Sequence, residues 1–164
     1  MPLAPDAIAL AALLPGIWRV GATNFAMWLS GDRMRPQFRY DLKTRDPLVL
    51  DDVVSFRTAH GVEKTIVGVD RLHLGGARGD SFVWRGAGLL SFVTSRWTVV
   101  GATEDSNILV IRFAKSFLSP AGVDVIVREG IDSHAFRTQV AALSESLGLT
   151  HGEFASLTWL ELAD

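Results

Sequence analysis

The chain has 164 residues, 48% hydrophobic and 21% charged, with a formal net charge of −2 and no cysteine. This describes one globular domain over residues 1–164 and excludes a disordered chain. No basic field invites nucleic acid, and disulfides, thiolate metal sites and a thiol nucleophile are ruled out.

The N-terminal stretch is apolar but lacks the positively charged start of a signal peptide, since the first arginine is Arg19. Asp6 is a candidate N-cap for a short helix from Ala7 to Leu14, ended by Pro15. No stretch approaches the roughly 20 apolar residues that span a bilayer. The expectation is a soluble protein, and the lack of cysteine suits the cytoplasm.

From residue 16 onward, short alternating or apolar runs are separated by Gly, Asp, Pro and Asn. Strands are predicted over 16–26, 36–40, 48–57, 64–72, 81–85, 96–103, 107–113 and 123–128. The cluster Gly75-Gly76-Ala77-Arg78-Gly79-Asp80 is one of the intervening turns. The period then becomes helical, with Phe136, Val140, Leu143 and Leu147 in phase, Asp132 as N-cap and Gly148 at the C′ position. Thr150 and Glu153 have capping-box spacing for a final helical turn ending near Trp159. Eight strands at near-regular spacing indicate an all-β meander, sandwich or barrel. Closure removes the sheet edges and leaves room inside for side chains or one small ligand.

In the first strand Trp18, Val20, Ala22 and Asn24 share a phase, so Asn24 is expected to point inward. Tyr40, the sole tyrosine, shares a phase with Phe38. Asp52 shares one with Leu48, Leu50, Val54 and Phe56, although adjacent Asp51 leaves the register open. An inward Asp52 requires an arginine partner, for which Arg96 and Arg112 are available, or a raised pKa. An inward arginine would favour a ligand bearing a carboxylate or enolate. Trp28, Trp84, Leu89, Leu90 and Phe92 supply apolar surface near the loops, either as core or, over 86–95, as a mobile lid. Small residues such as Ala22 and Gly68 favour a hollow interior, and the five tryptophans favour a filled one. His60, His73, His134 and His151 are not at metal-ligand spacing; His73 is the best placed for a single haem bond. No nucleophile elbow, P-loop or dinucleotide fingerprint is present, and neither a metal nor a cofactor is expected.

Gly16-Ile17-Trp18 with Arg19-Val20-Gly21-Ala22 resembles the first-strand signature of lipocalins. The run from Trp97 through Thr103-Glu104-Asp105 to Ile111 is similar to their second motif. Val125-Ile126-Val127-Arg128-Glu129-Gly130 with the following helix is similar to their third. The resemblance, to the short bacterial type without a signal peptide, implies an eight-stranded antiparallel up-and-down barrel with a short N-terminal helix and a C-terminal amphipathic helix. It also implies that Arg128 stacks on Trp18 as a structural plug, a contact worth about 0.5–2 kcal/mol.

The first functional expectation is a binder of a small, largely apolar molecule. Its pocket would be formed by Asn24, Trp28, Phe38, Tyr40, Asp52, Phe56, Trp84, Trp97 and Arg112. The alternative is a biosynthetic cyclase or isomerase, pericyclic chemistry included, with Tyr40 or Asn24 as hydrogen-bond donor to a substrate carbonyl. A third reading is a barrel filled solid that serves as an interaction module. The oligomeric state stays open, a homodimer being one option.

Overall fold

In a computed structural model, residues 5–77, 79–116 and 119–162 are described; Arg78 of the predicted turn cluster lies outside them. Helix α1 (Ala7–Leu13) begins where the Asp6 carboxylate accepts the Ala9 N–H at 2.9 Å, satisfying an orphan donor. Eight strands follow: β1 (Gly16–Thr23), β2 (Met34–Arg45), β3 (Leu48–Arg57), β4 (Glu63–Gly76), β5 (Gly79–Gly86), β6 (Thr94–Ala102), β7 (Ile108–Phe113) and β8 (Gly122–Arg128). Each pairs antiparallel with the next, and β8 returns to β1, closing an eight-stranded up-and-down barrel. Helices α2 (Phe136–Leu143) and α3 (His151–Ala155) and a two-residue strand β9 (Thr158–Trp159) complete the chain.

Strand β1 organises the closure. Its first half, Gly16 to Arg19, pairs with β2, and its second half, at Ala22 and Thr23, pairs with β9. A bulge between Val20 and Ala22 shifts the register against β8. Before the bulge Trp18 and Val20 point into the barrel; after it Ala22 points outward into a second core beneath α2. An inserted residue reverses the side-chain phase, because that phase has a period of two. Gly21 sits at this point, and a Cβ there would stand 2.4 Å from Phe136 Cε1, so the outer helix packs directly on strand backbone.

Trp18 is fully buried at the closed end with Leu10, Leu13 and Leu14 of the α1 segment around it. Its indole N–H donates to the Leu14 carbonyl at 2.9 Å. The Arg128 guanidinium stands 4.1 Å from the Trp18 ring and donates to the Leu13 and Pro15 carbonyls at 2.8 and 3.2 Å. One side chain thus caps helix-end carbonyls and covers the aromatic plug.

The outer core gathers Ile108, Val110, Val123, Val125 and Val127 under Phe136, Val140 and Leu147. Here the C-terminal segment departs from the sequence reading. Asp132 does not cap α2; its carboxylate accepts the His134 N–H at 3.0 Å, forming a turn ahead of a helix that begins at Phe136. Leu143 is 37% exposed, whereas Leu147 is buried beyond the end of that helix. The Thr150–Glu153 capping box forms, but α3 stops at Ala155 and Trp159 belongs to β9. Among the described residues no helix is long and apolar enough to cross a membrane.

Candidate functional site

The end opposite the plug is hollow. A cavity of about 720 Å³ opens between Phe25–Trp28, the 90–95 segment and the residues Ser116, Ser119 and Pro120. Its size falls in the ordinary range for small-molecule pockets. Phe38 and Tyr40 from β2, Asp52 and Val54 from β3, Trp84 from β5 and Trp97 from β6 line its walls. These are the inward positions of alternating strands, so sheet geometry alone brings them together.

The aromatic wall is continuous. Trp97 stacks on Phe82 at 4.5 Å between ring centroids and on Tyr40 at 5.6 Å; Tyr40 meets Phe38 at 6.2 Å, and Phe38 meets Trp28 at 6.0 Å. Offset and tilted pairs of this kind add about 0.5–1.5 kcal/mol each beyond area burial. Trp28 also approaches Phe56, over which Arg33 lies at 5.4 Å at the mouth.

Three carboxyl groups are buried in the barrel interior at no more than 4% exposure: Asp52, which lines the cavity, and Asp70 and Asp124, which lie behind its lining. Asp124 is satisfied at both oxygens, accepting from the Thr23 hydroxyl at 2.6 Å and from Trp28 Nε1 at 2.9 Å. Burial pushes its pKa up to about 7, against the lowering effect of those two bonds. Asp70 accepts from Trp97 Nε1 at 2.8 Å, and burial pushes it up to about 6. Asp52 is raised well above the usual carboxylate range by burial and then by the Asp70 charge. Tyr40 is raised too, by burial and by the three carboxylates. Such displacements follow from low dielectric and like charge acting together.

Asp52 and Asp70 form a pair. In the β3–β4 register Asp52 lies opposite Gly68 and Asp70 opposite Leu50, so the two acids are diagonal neighbours on the inner face. A hydrogen bond links them when one carries a proton. Beyond that shared proton, Asp52 Oδ1 and Asp70 Oδ2 are buried with no hydrogen-bond partner, and Trp84 Nε1 is buried with none. Unsatisfied groups of this kind cost about 1–3 kcal/mol each and call for an explanation.

The structure redraws several expectations. Asn24 does not point inward, because the β1 bulge reverses its phase. Its side-chain carbonyl accepts the Val123 N–H at 2.6 Å, and its amide donates to Ser156 on the outer side. Arg112 also lies outside, next to inward Ile111, in a two-pronged contact with Glu153 of α3 at 2.6 and 2.8 Å. Arg96 is exposed and donates to Ser81. Asp52 therefore has no arginine partner, and the second alternative applies: its pKa rises. Asp51, the neighbour that left the register open, faces out within 3.8 Å of Lys43. His73 is exposed on β4.

Ala22 opens no interior space because it faces the outer core. At Gly68 the space is occupied, since a Cβ there would stand 2.2 Å from Trp84 Nε1. In the 86–95 connection, Leu90 and Val93 line the cavity while Leu89 and Phe92 are 92% and 79% exposed. Sequence reasoning missed Asp70 and Asp124. The signal was present as alternation: Asp70 is in phase with Ile66, Gly68 and Leu72, and Asp124 breaks an otherwise apolar strand.

A second crevice, of about 450 Å³, opens where β2 parts from β1, among Arg19, Arg35, Arg57, Glu63, Glu129 and Glu161. Charges of both signs line it, with Arg19 and Glu129 3.4 Å apart. It has the character of a solvated seam.

No protein-family model matches the chain, and no curated protein matches it in sequence. Solved structures do match. Apocrustacyanin A1 from lobster is 10% identical with a TM-score of 0.60, covering 98% of this chain and 88% of its own. Apocrustacyanin C2 is 10% identical with a TM-score of 0.62, covering 99% and 89%. H1 crustacyanin from the lobster Homarus americanus is 9% identical with a TM-score of 0.61, covering 100% and 91%. At these identities the shared property is the fold.

Proposed function

We propose that this lipocalin-like barrel binds a small, largely apolar molecule in the cavity of its open end. The observation that carries the reading is the coexistence of about 720 Å³ of space with an aromatic wall holding unsatisfied polar atoms at Asp52 and Trp84. A filled structural barrel would have packed that space to native density. An apolar body would lie against Phe38, Tyr40, Trp84 and Trp97, and a few polar contacts would fix its orientation.

The direct test is native mass spectrometry of the purified protein, with extraction of anything bound. Titration of the tryptophan fluorescence with a panel of apolar compounds follows. The expected result is a defined adduct, or saturable quenching with a ligand-dependent rise in melting temperature. A clean mass together with no response across the panel overturns the reading.

A further inference from the structure

We propose that the ligand carries a basic nitrogen, held as an organic ammonium ion by the Asp52–Asp70 pair within the aromatic wall. This rests on the reading of the barrel as a hollow binder and adds the chemical class of the head group.

The polar inventory of the barrel interior is one-sided. Asp52, Asp70 and Asp124 face inward, while Arg19, Arg39, Lys43 and Arg112 are engaged with acids on the outer face. Around the pair, β2 contributes Tyr40, β5 and β6 contribute Trp84 and Trp97, and β8 contributes Asp124; none is basic. Arg33 and Asp32 lie at the mouth, with Arg33 over Phe56. A ligand carboxylate would thus meet like charge deep in the cavity, where the effective dielectric is low.

The distribution of donors selects further. Trp28 and Trp97 already direct their indole N–H groups at Asp124 and Asp70. At the pair, Asp52 Oδ1 and Asp70 Oδ2 are buried with no partner beyond the proton the two acids share, Trp84 Nε1 is buried without a partner, and Asp52 is the member that lines the cavity. Once that proton leaves, the pair is left with acceptors alone, and an ammonium supplies up to three donors with the compensating charge. The faces of Tyr40, Trp84 and Trp97 attract the same cation through the ring quadrupole, the usual recognition mode for organic ammonium groups.

Binding has a proton signature. Two acids sharing a buried site hold a proton between them, and an incoming ammonium takes its place. Amine affinity therefore rises with pH and binding releases protons. A neutral ligand accepting from a protonated Asp52 would show the reverse slope.

The test uses three probes with one body and different heads: 4-phenylbutylamine, 4-phenylbutan-1-ol and 4-phenylbutyrate. Each is titrated by tryptophan fluorescence and by calorimetry in two buffers of different ionisation heat, from pH 5.5 to 8. The amine is expected to bind about tenfold or more tighter than the alcohol at pH 7.5, to strengthen with pH and to release protons. Asp52→Asn and Asp70→Asn are expected to weaken the amine about tenfold and flatten its pH slope, while the outward control Asp51→Asn does neither. Circular dichroism establishes that each variant is folded.

Alcohol or butyrate binding as tightly as the amine, or amine affinity falling with pH, overturns the head-group assignment and leaves the hollow binder standing. Failure of all three probes to perturb the cavity tryptophans overturns the head-group assignment, and the hollow binder falls with it only where the native mass is also clean.

Discussion

Trp28 Nε1 donates to Asp124 at 2.9 Å, and this bond ties the 3-10 turn at the cavity mouth to the buried carboxyl of β8. Asp124 is completely buried, so the bond exists where water cannot substitute for it. Trp28→Phe keeps most of the apolar volume and removes the donor. It is expected to destabilise the fold by about 1–3 kcal/mol in a denaturant titration, the cost of an orphaned buried acceptor.

The raised carboxyls invert the usual acid sensitivity. Asp70 at about 6 and Asp124 at about 7 hold protons in the folded state that the unfolded chain has released above about 4. Their contribution to stability is fully present below that unfolded value and is lost as pH rises through 6 and 7. Tenfold in proton affinity is about 1.4 kcal/mol, so Asp124 alone represents a cost on the order of 4 kcal/mol at pH 8. Melting temperature is therefore expected to be higher near pH 5 than at pH 8, and Asp124→Asn to flatten that slope. Glu153, whose pKa is lowered by Arg112 and Thr150 against burial, opposes the trend only in more acidic solution. A melting temperature that climbs steadily to pH 8 would contradict the assignment.

At the closed end, Arg128 combines a stacked guanidinium with two bonds to helix-end carbonyls. Arg128→Ala is expected to cost about 2–3 kcal/mol. Arg128→Lys should recover only part of this, because an ammonium cannot stack and fork at once. Equal stability for the lysine variant and the parent would show that charge alone is at work.

Two glycines make a matched pair. A Cβ on Gly101 would stand 2.3 Å from the Leu147 carbonyl oxygen, where the segment after α2 lies on β6, whereas Gly152 in α3 has open space around it. Gly101→Ala is expected to cost about 1–3 kcal/mol, since backbone must move. Gly152→Ala should be neutral or stabilising by up to about 1 kcal/mol. Thermal unfolding of the two variants side by side makes the comparison.

Much of the fold was legible because each strand carries its own period and punctuation. The β3 strand was read over its observed span from alternation alone, whereas Gly148, read as the C′ glycine of the helix, has a φ of +81° but stands beyond the end of α2 at Leu143. The candidate site was harder to read because it depends on phase. A single bulge at Gly21 sends Asn24 out of the barrel, and nothing in the local sequence distinguishes that glycine from one in a regular strand. Arg112 was drawn inward by a pairing rule that looked for a cation to match Asp52. The chain matches Asp52 with a second acid instead, and a diagonal neighbour 18 positions away is visible only once register is known.

The divided edge of β1 bears on how the molecule comes into being. Seven successive strands, β2 to β8, pair with their immediate neighbours and can zip as local hairpins while the polypeptide emerges. The far half of β1 has no such neighbour: its hydrogen bonds go to β8 and to the two residues of β9, both far downstream in the chain. This strand is thus completed only after β8 and β9 have been made, and until then it presents a bare apolar edge. Ribosome-bound chains ending before residue 158 are the species expected to engage a chaperone, and pairing of Thr158 and Trp159 with β1 is the event expected to dismiss it.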